Sequence, residues 1–345
     1  MLLKELSNAI GISGEEDEVR KIVVDAIKPH VTDLVVDSIG NVTAIQKGTQ
    51  YPDYTVMVAA HMDEIGMMVT AVDSNGLIQF TNVGGIDARI LPGLRVKVGK
   101  KKTPGVILWK PIHMGRSMSV VDIDSLRIDI GSTDKNGVDL GERIAFDSFY
   151  AEMSEKVVRG KAFDDRVGCS VLIDILQNGP YLVTVAATFS VQEEIGLRGA
   201  QIAAHRLNPD VAIVLEGTTA HDLPTPNMEI DAGDLPPNSG CKLGAGAVLS
   251  LMDSSMITDP RVIRFLRETA DSNNIPYQFK TVRGGGTDGG RIHVNHSGVP
   301  TMVISTPCRY IHSPTALMNT DDYGHVLNLS QAVLKTITPD TFKQT

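Results

Sequence analysis

The chain has 345 residues, 42% of them hydrophobic and 21% charged, with 32 Lys plus Arg against 41 Asp plus Glu for a formal charge of −9. This is the composition of a soluble globular protein with room for two domains, and its acidic balance argues against a nucleic acid or an anionic membrane as partner. No apolar run approaches the roughly 20 residues that span a bilayer. The start lacks a signal peptide's basic and apolar regions, and Cys169, Cys241 and Cys308 are too few for a disulfide framework, so a cytoplasmic location is expected.

In chain order, the apolar spacing before residue 30 predicts two helices, with Ser13 and Glu16 as a capping box. "LVVDSIGNVTAIQ" predicts a strand, a turn and a second strand, and "TVMVAA" a buried strand running into His61, Asp63 and Glu64. From residue 64 to 155 the texture changes to short alternating segments broken by Asn-Gly, Gly-Gly and Pro-Gly, the pattern of a β-rich module. Strands and helices then alternate. "VGCSVLIDILQNG", "AQIAAHRLN", "DPRVIRFLRETADSNNI" and "DDYGHVLNLSQAVLKTI" predict helices, and "YLVTVAATFSVQ", "PDVAIVLEGT" and "PTMVISTP" predict strands. Near-continuous apolar strands in such alternation imply an α/β fold with a mainly parallel sheet covered on both faces, into which the β-rich module is inserted.

Ligands of open α/β sheets bind beyond the carboxyl ends of the strands. In this chain those ends carry His61 and Asp63, Glu193 and Glu194, Glu216, and the segment leading to His312, while Asp164 and Asp165 precede the first helix of the second half. Taken singly, a histidine after a strand or a pair of acids is more often structural; four consecutive strand ends of this kind suggest convergence. Imidazole and carboxylate donors without a cysteine pair suit Zn²⁺, Co²⁺ or Mn²⁺, and there are enough of them for two ions and a free general base. The remaining histidines and Cys169 carry structural expectations. "RGGGTDGG" at 283–290 lacks the spacing and lysine of a phosphate loop and reads as a binding loop, with Gly285, Gly286, Thr287, Asp288 and Arg291 as candidate substrate contacts.

The segments "AHMDEIG", "GKAFDDRVG", "FSVQEEIGLRGA", "VLEGTTA", "GGGTDGG" and "RYIHSP", in that order, resemble the M42 metallo-aminopeptidases, which include glutamyl aminopeptidases and tetrahedral self-compartmentalising peptidases. The resemblance implies a zinc-peptidase-like α/β fold with a mixed, mainly parallel sheet flanked by helices and an inserted small β-barrel. Its catalytic domain would comprise residues 1–63 and 156–345, and residues 64–155 would form a dimerisation or oligomerisation domain. It implies two divalent metal ions, Zn²⁺ or Co²⁺, one held by His61, Asp164 and Glu216 and the other by Asp164, Glu194 and His312. Glu193 would be the base, Asp63 would orient His61, and the Asp164–Asp165 peptide would be cis. The partners implied are peptide substrates and further copies of the chain, dimers assembling to a dodecamer, with no nucleic acid and no membrane.

Glu216 stands where most of that family has aspartate, which resembles the glutamyl branch and suggests an acidic N-terminal residue, with Arg291 as the cation that receives it; neutral aliphatic residues are the alternative. His221 replaces a residue that is usually glycine, and Arg291 one that is usually small. A glycoside hydrolase would need no metal and would want more aromatics than 5%. A non-catalytic metal-binding scaffold would have no use for a free carboxylate beside the ligands.

Overall fold

A computed structural model describes residues 2–115, 121–133, 137–222, 240–281 and 284–343. Arg283 of the glycine-rich run and Asn136 of the module's second Asn-Gly pair lie outside them. The chain opens with α1 (Leu3–Asn8), α2 (Asp17–Ile27), β1 (Val35–Val36), β2 (Val42–Gln46) and β3 (Tyr51–His61). Next come β4 (Gly66–Val72), β5 (Ile78–Val83), β6 (Arg95–Val98), β7 (Thr103–Ile107), β8 (Ile128–Asp129) and β9 (Arg143–Phe146), which close into a barrel in the order β4-β5-β8-β7-β6-β9. Its alternating residues turn Met67, Val69, Phe80, Val96, Val98 and Ile144 into one core.

The second half supplies β10 (Ala151–Glu152), β11 (Val157–Gly160), α3 (Phe163–Asn178), β12 (Val183–Ser190), α4 (Arg198–Leu207) and β13 (Val211–Thr219). It ends with β14 (Ala247–Ser250), α5 (Pro260–Ser272), β15 (Tyr277–Lys280), α6 (Gly289–Ile292), β16 (Thr301–Arg309), β17 (Ala316–Asn319) and α7 (Thr320–Thr336). Among the described residues eleven strands form one mixed sheet, whose centre β12-β3-β13-β16 is parallel throughout. All eight residues of β12 are buried, which is why this strand reads as unbroken apolar sequence rather than as an alternation. Along β3 the period of two sends Val56, Val58 and Ala60 into the core shared with α3 and α7, and Met57 and Ala59 into the one under α4 and α6.

The sheet is mixed as expected, parallel at its centre and in the β14–β15 pair and antiparallel in its flanks. Two details depart from the sequence expectations. The capping box is absent: α2 begins at Asp17, the Ser13 hydroxyl donates 2.6 Å to Asp63, and the Glu16 carboxylate accepts from the Gly14 amide. The four-residue strands β11, β14, β15 and β17 have too short a pattern to announce themselves; pairing with a neighbour defines them. No described helix is long and apolar enough to cross a membrane.

Candidate active site

The parallel centre of the sheet ends on one side in ionisable groups. His61 closes β3 in register with Ser190 of β12, after which the chain turns through Glu193 and Glu194. Glu216 lies in β13, and His312 comes after β16. Asp164 enters from the start of α3, where it and Asp165 leave helical geometry and their peptide is cis. β13 can lie against this backbone because position 217 is glycine; a Cβ there would stand 2.9 Å from the Asp164 Cα.

Two groups of donors result. His61 Nε2 lies 3.3 Å from Asp164 Oδ1 and 3.7 Å from Glu216 Oε2, and His312 Nε2 lies 3.6 Å from Asp164 Oδ2 and 3.5 Å from Glu194 Oε2. Asp164 thus presents one oxygen to each imidazole. In each trio the donor atoms lie within 4.8 Å of one another. Glu193 Oε2 is 3.9 Å from His61 Nε2 and belongs to neither trio.

The electrostatics of the site call for cations. Burial drives Glu193 and Glu216 well above the usual carboxylate range, with neighbouring acids adding to the shift against the pull of His61. Burial likewise raises Glu194 to about 7. At Asp164 burial acts in the same direction, but its hydrogen bonds to His312 and His61 win and hold it below the ordinary range. Glu216 Oε1 is buried with no hydrogen-bond partner among the described residues, an arrangement that is costly unless the atom meets an ion. The donor set of imidazole nitrogens and carboxylate oxygens, with one orphaned buried oxygen, fits two divalent cations.

The residues that hold this cluster in shape are only partly those expected. Asp63 is the residue expected to orient His61, and its carboxylate lies 3.5 Å from His61 Nδ1, whose closer contact is the Asp63 carbonyl at 3.1 Å. The same carboxylate accepts the backbone amides of Glu193 at 3.0 Å and Glu194 at 3.2 Å, and the Ser13 hydroxyl. One fully buried side chain therefore aligns three members of the site. Asp63→Ala is expected to weaken metal binding by about 10–100-fold, the usual effect of losing such a support, readable by titration of the metal-free protein.

Two further supports had no role assigned from the sequence. Asp165 accepts the His61 backbone amide at 3.2 Å. Gly85, in the loop after β5, lies with its carbonyl 2.9 Å from His312 Nδ1, so the β-rich module touches the site although none of its motifs suggested this. Glu64 accepts hydrogen bonds from Lys161 at 2.6 and 2.8 Å and from Arg166 at 3.1 Å, all buried.

A cleft of about 690 Å³ opens beside the cluster, lined by Glu193, Glu194, Glu216 and His312 among others. Gly285, Gly286 and Thr287 border it; Asp253 pins that loop by accepting from the Thr287 hydroxyl at 3.1 Å. Asp288 lies behind, 1% exposed and bonded to the Ser190 hydroxyl. Arg291 does not reach the cleft. It sits in α6 and lines a separate depression with Gln201 and His205, because the helix turns its side chain away from the loop that precedes it. The lysine that borders the cleft is Lys280, with His221 in the same lining.

Residues 40–329 match the family model described as M42 glutamyl aminopeptidase. The chain is 33% identical to a lysyl aminopeptidase of Pyrococcus furiosus over 99% of its own length and 98% of the relative's. Its fold superposes on a TET aminopeptidase from a marine sediment thaumarchaeon with a TM-score of 0.91, at 36% identity and covering 99% and 96% of the two chains. It superposes on the TET1 peptidase of Pyrococcus horikoshii, described as assembling into a tetrahedron or a large octahedral shell, with a TM-score of 0.84, at 29% identity and covering 97% and 98%.

Proposed function

The chain belongs to the M42 peptidase family, and from that premise we propose that it is an aminopeptidase acting through a dinuclear metal centre with Glu193 as general base. His61, Asp164 and Glu216 would hold one ion and Asp164, Glu194 and His312 the other, with Zn²⁺ or Co²⁺ matching the donors. Bound there, such ions supply Lewis-acid polarisation of the scissile carbonyl and stabilise the oxyanion that develops. The chain's own part is proton transfer and positioning. Glu193, raised by burial and standing outside both trios, takes a proton from the attacking water and returns it to the leaving amine. Asp63 keeps the base and the ligands aligned, and the cleft admits a peptide's N-terminal residue.

The observation that carries this reading is the placement of Asp164, whose two oxygens face different histidines. The test is metal stoichiometry alongside turnover of aminoacyl anilides. Two equivalents of metal per chain with loss of activity on chelation are expected, and Asp164→Ala should reduce both occupancies. Full activity after exhaustive chelation would sink the proposal.

Family membership leaves the first residue of the substrate open, since the family description names glutamate and a close relative is named for lysine. We favour an acidic residue over a neutral aliphatic one, on the basis of Glu216 at the metal position and of a cation in the cleft lining.

We also propose that residues 64–155 form an oligomerisation domain between the two parts of a catalytic domain, 1–63 and 156–345, and that the chain assembles as a dodecamer. Apolar side chains exposed on that module, Trp109 at 61% and Met114 at 69%, support this reading. Light scattering should give a mass near twelve chains, and a monomer with full peptidase activity would refute it.

A further inference from the structure

The cleft lining contains one cation whose role the catalytic centre does not explain. Among the described residues bordering it, Lys280 is the one lysine or arginine. It ends β15, is partly buried, and has no carboxylate partner among the described residues. The nearby candidate, Asp222, is committed elsewhere, accepting two hydrogen bonds from Arg309 at 2.8 and 2.7 Å. A partly buried ammonium with no counter-ion is unfavourable unless something anionic meets it.

His221 shares the lining. Two residues beyond β13, its backbone amide donates 2.7 Å to the Cys241 carbonyl, which ties it to the strand end. Its Nδ1 is buried without a partner among the described residues. Burial, with the charge of Lys280 behind it, holds its pKa below the usual value; a neutral imidazole there can donate one hydrogen bond beside the ammonium.

Charge balance in the loaded site strengthens the case, and here the inference rests on the proposed dinuclear reading. Four carboxylates, Asp164, Glu193, Glu194 and Glu216, border the cleft, and two divalent ions would offset them. Lys280 is then the uncompensated charge of the described lining.

We propose that Lys280 and His221 form a carboxylate-binding subsite of the substrate cleft. A carboxylate reaches an aminopeptidase cleft from two sources: the side chain of an acidic first residue, or the C-terminus of a short peptide. Both present the same planar anion to an ammonium and an imidazole N–H.

The test measures kcat/KM of the metal-loaded enzyme for Glu- and Leu-anilides, and for a Leu-Gly-Gly tripeptide against its C-terminal amide. If the side chain is the ligand, Lys280→Ala lowers the Glu/Leu ratio by roughly 10–100-fold, the range for a lost charge-assisted contact, mainly through KM. His221→Ala lowers it less, Lys280→Arg largely restores it, and Lys280→Glu tips preference towards Lys-anilide. If the C-terminus is the ligand, the same losses fall on the acid-to-amide ratio of the tripeptide. Wild-type turnover with neither ratio moved by Lys280→Ala or Lys280→Glu overturns the subsite and leaves the aminopeptidase standing. Absence of any turnover by the metal-loaded wild type overturns the aminopeptidase reading and the subsite with it.

Discussion

Replacing Glu193 with glutamine is expected to lower kcat by roughly 10²–10⁴-fold, the range for loss of a general base, while bound metal and thermal stability stay near wild type. The substitution is almost isosteric, and Glu193 belongs to neither donor trio, so neither ion loses a ligand. The backbone amide that Asp63 accepts from residue 193 also survives the change. Glu194→Ala should behave differently. It removes a donor from the trio of Asp164 and His312, so metal content should fall by one equivalent together with activity. Metal analysis and steady-state kinetics on the two variants separate the roles. Near-normal turnover in Glu193→Gln would remove the base from the mechanism, and loss of metal in that variant would exchange the roles of the neighbours.

The second large effect is on stability. Glu64→Gln is expected to destabilise the fold by about 3–5 kcal/mol, the usual consequence of removing one partner from a buried ion pair. Its carboxylate accepts from Lys161 Nζ at 2.6 and 2.8 Å, from Arg166 at 3.1 Å and from the Gly11 amide at 3.0 Å. The two cations also bond carbonyls of α1 and of the turn after it: Arg166 meets the Leu6 carbonyl and Lys161 that of Ala9. Burial already pushes Lys161 down to about 8 against the pull of Glu64. Without the carboxylate, two buried cations would lose their shared counter-charge, while the backbone bond from the residue 64 amide to the Gly11 carbonyl remains. Denaturant unfolding measures the loss, and Glu64→Gln combined with Lys161→Met should recover part of it by removing one stranded charge. A loss under about 1 kcal/mol for the single variant, the scale of a solvent-exposed pair, would show that water reaches the network.

The alternation of apolar strands with helices after residue 156, and the turn-rich stretch before it, determined the α/β sheet and the inserted β-rich module, because period and turn chemistry are local properties of a chain; closure of that module into a barrel depends on which strands pair. The ionisable strand ends were equally legible. In a parallel sheet, neighbouring strands deliver the residues at their carboxyl ends to one edge, so reading those ends already collected His61, Glu193, Glu194, Glu216 and His312. Tertiary structure decided what depends on distance between segments remote in sequence. Ser13 resembles a helix cap because its spacing to Glu16 suits one, yet a buried Asp63 fifty residues away competes for its hydroxyl and wins. Gly85 has no side chain to announce a function, and its carbonyl meets His312 only because the barrel packs against the cleft. Arg291 and Lys280 are the clearest pair. Both are cations near the glycine-rich loop in sequence, but α6 turns one into a separate depression, while β15, paired to β14 beside β16, brings the other to the cleft. Side-chain direction at the end of a short element is set by what that element packs against, and composition carries no trace of it.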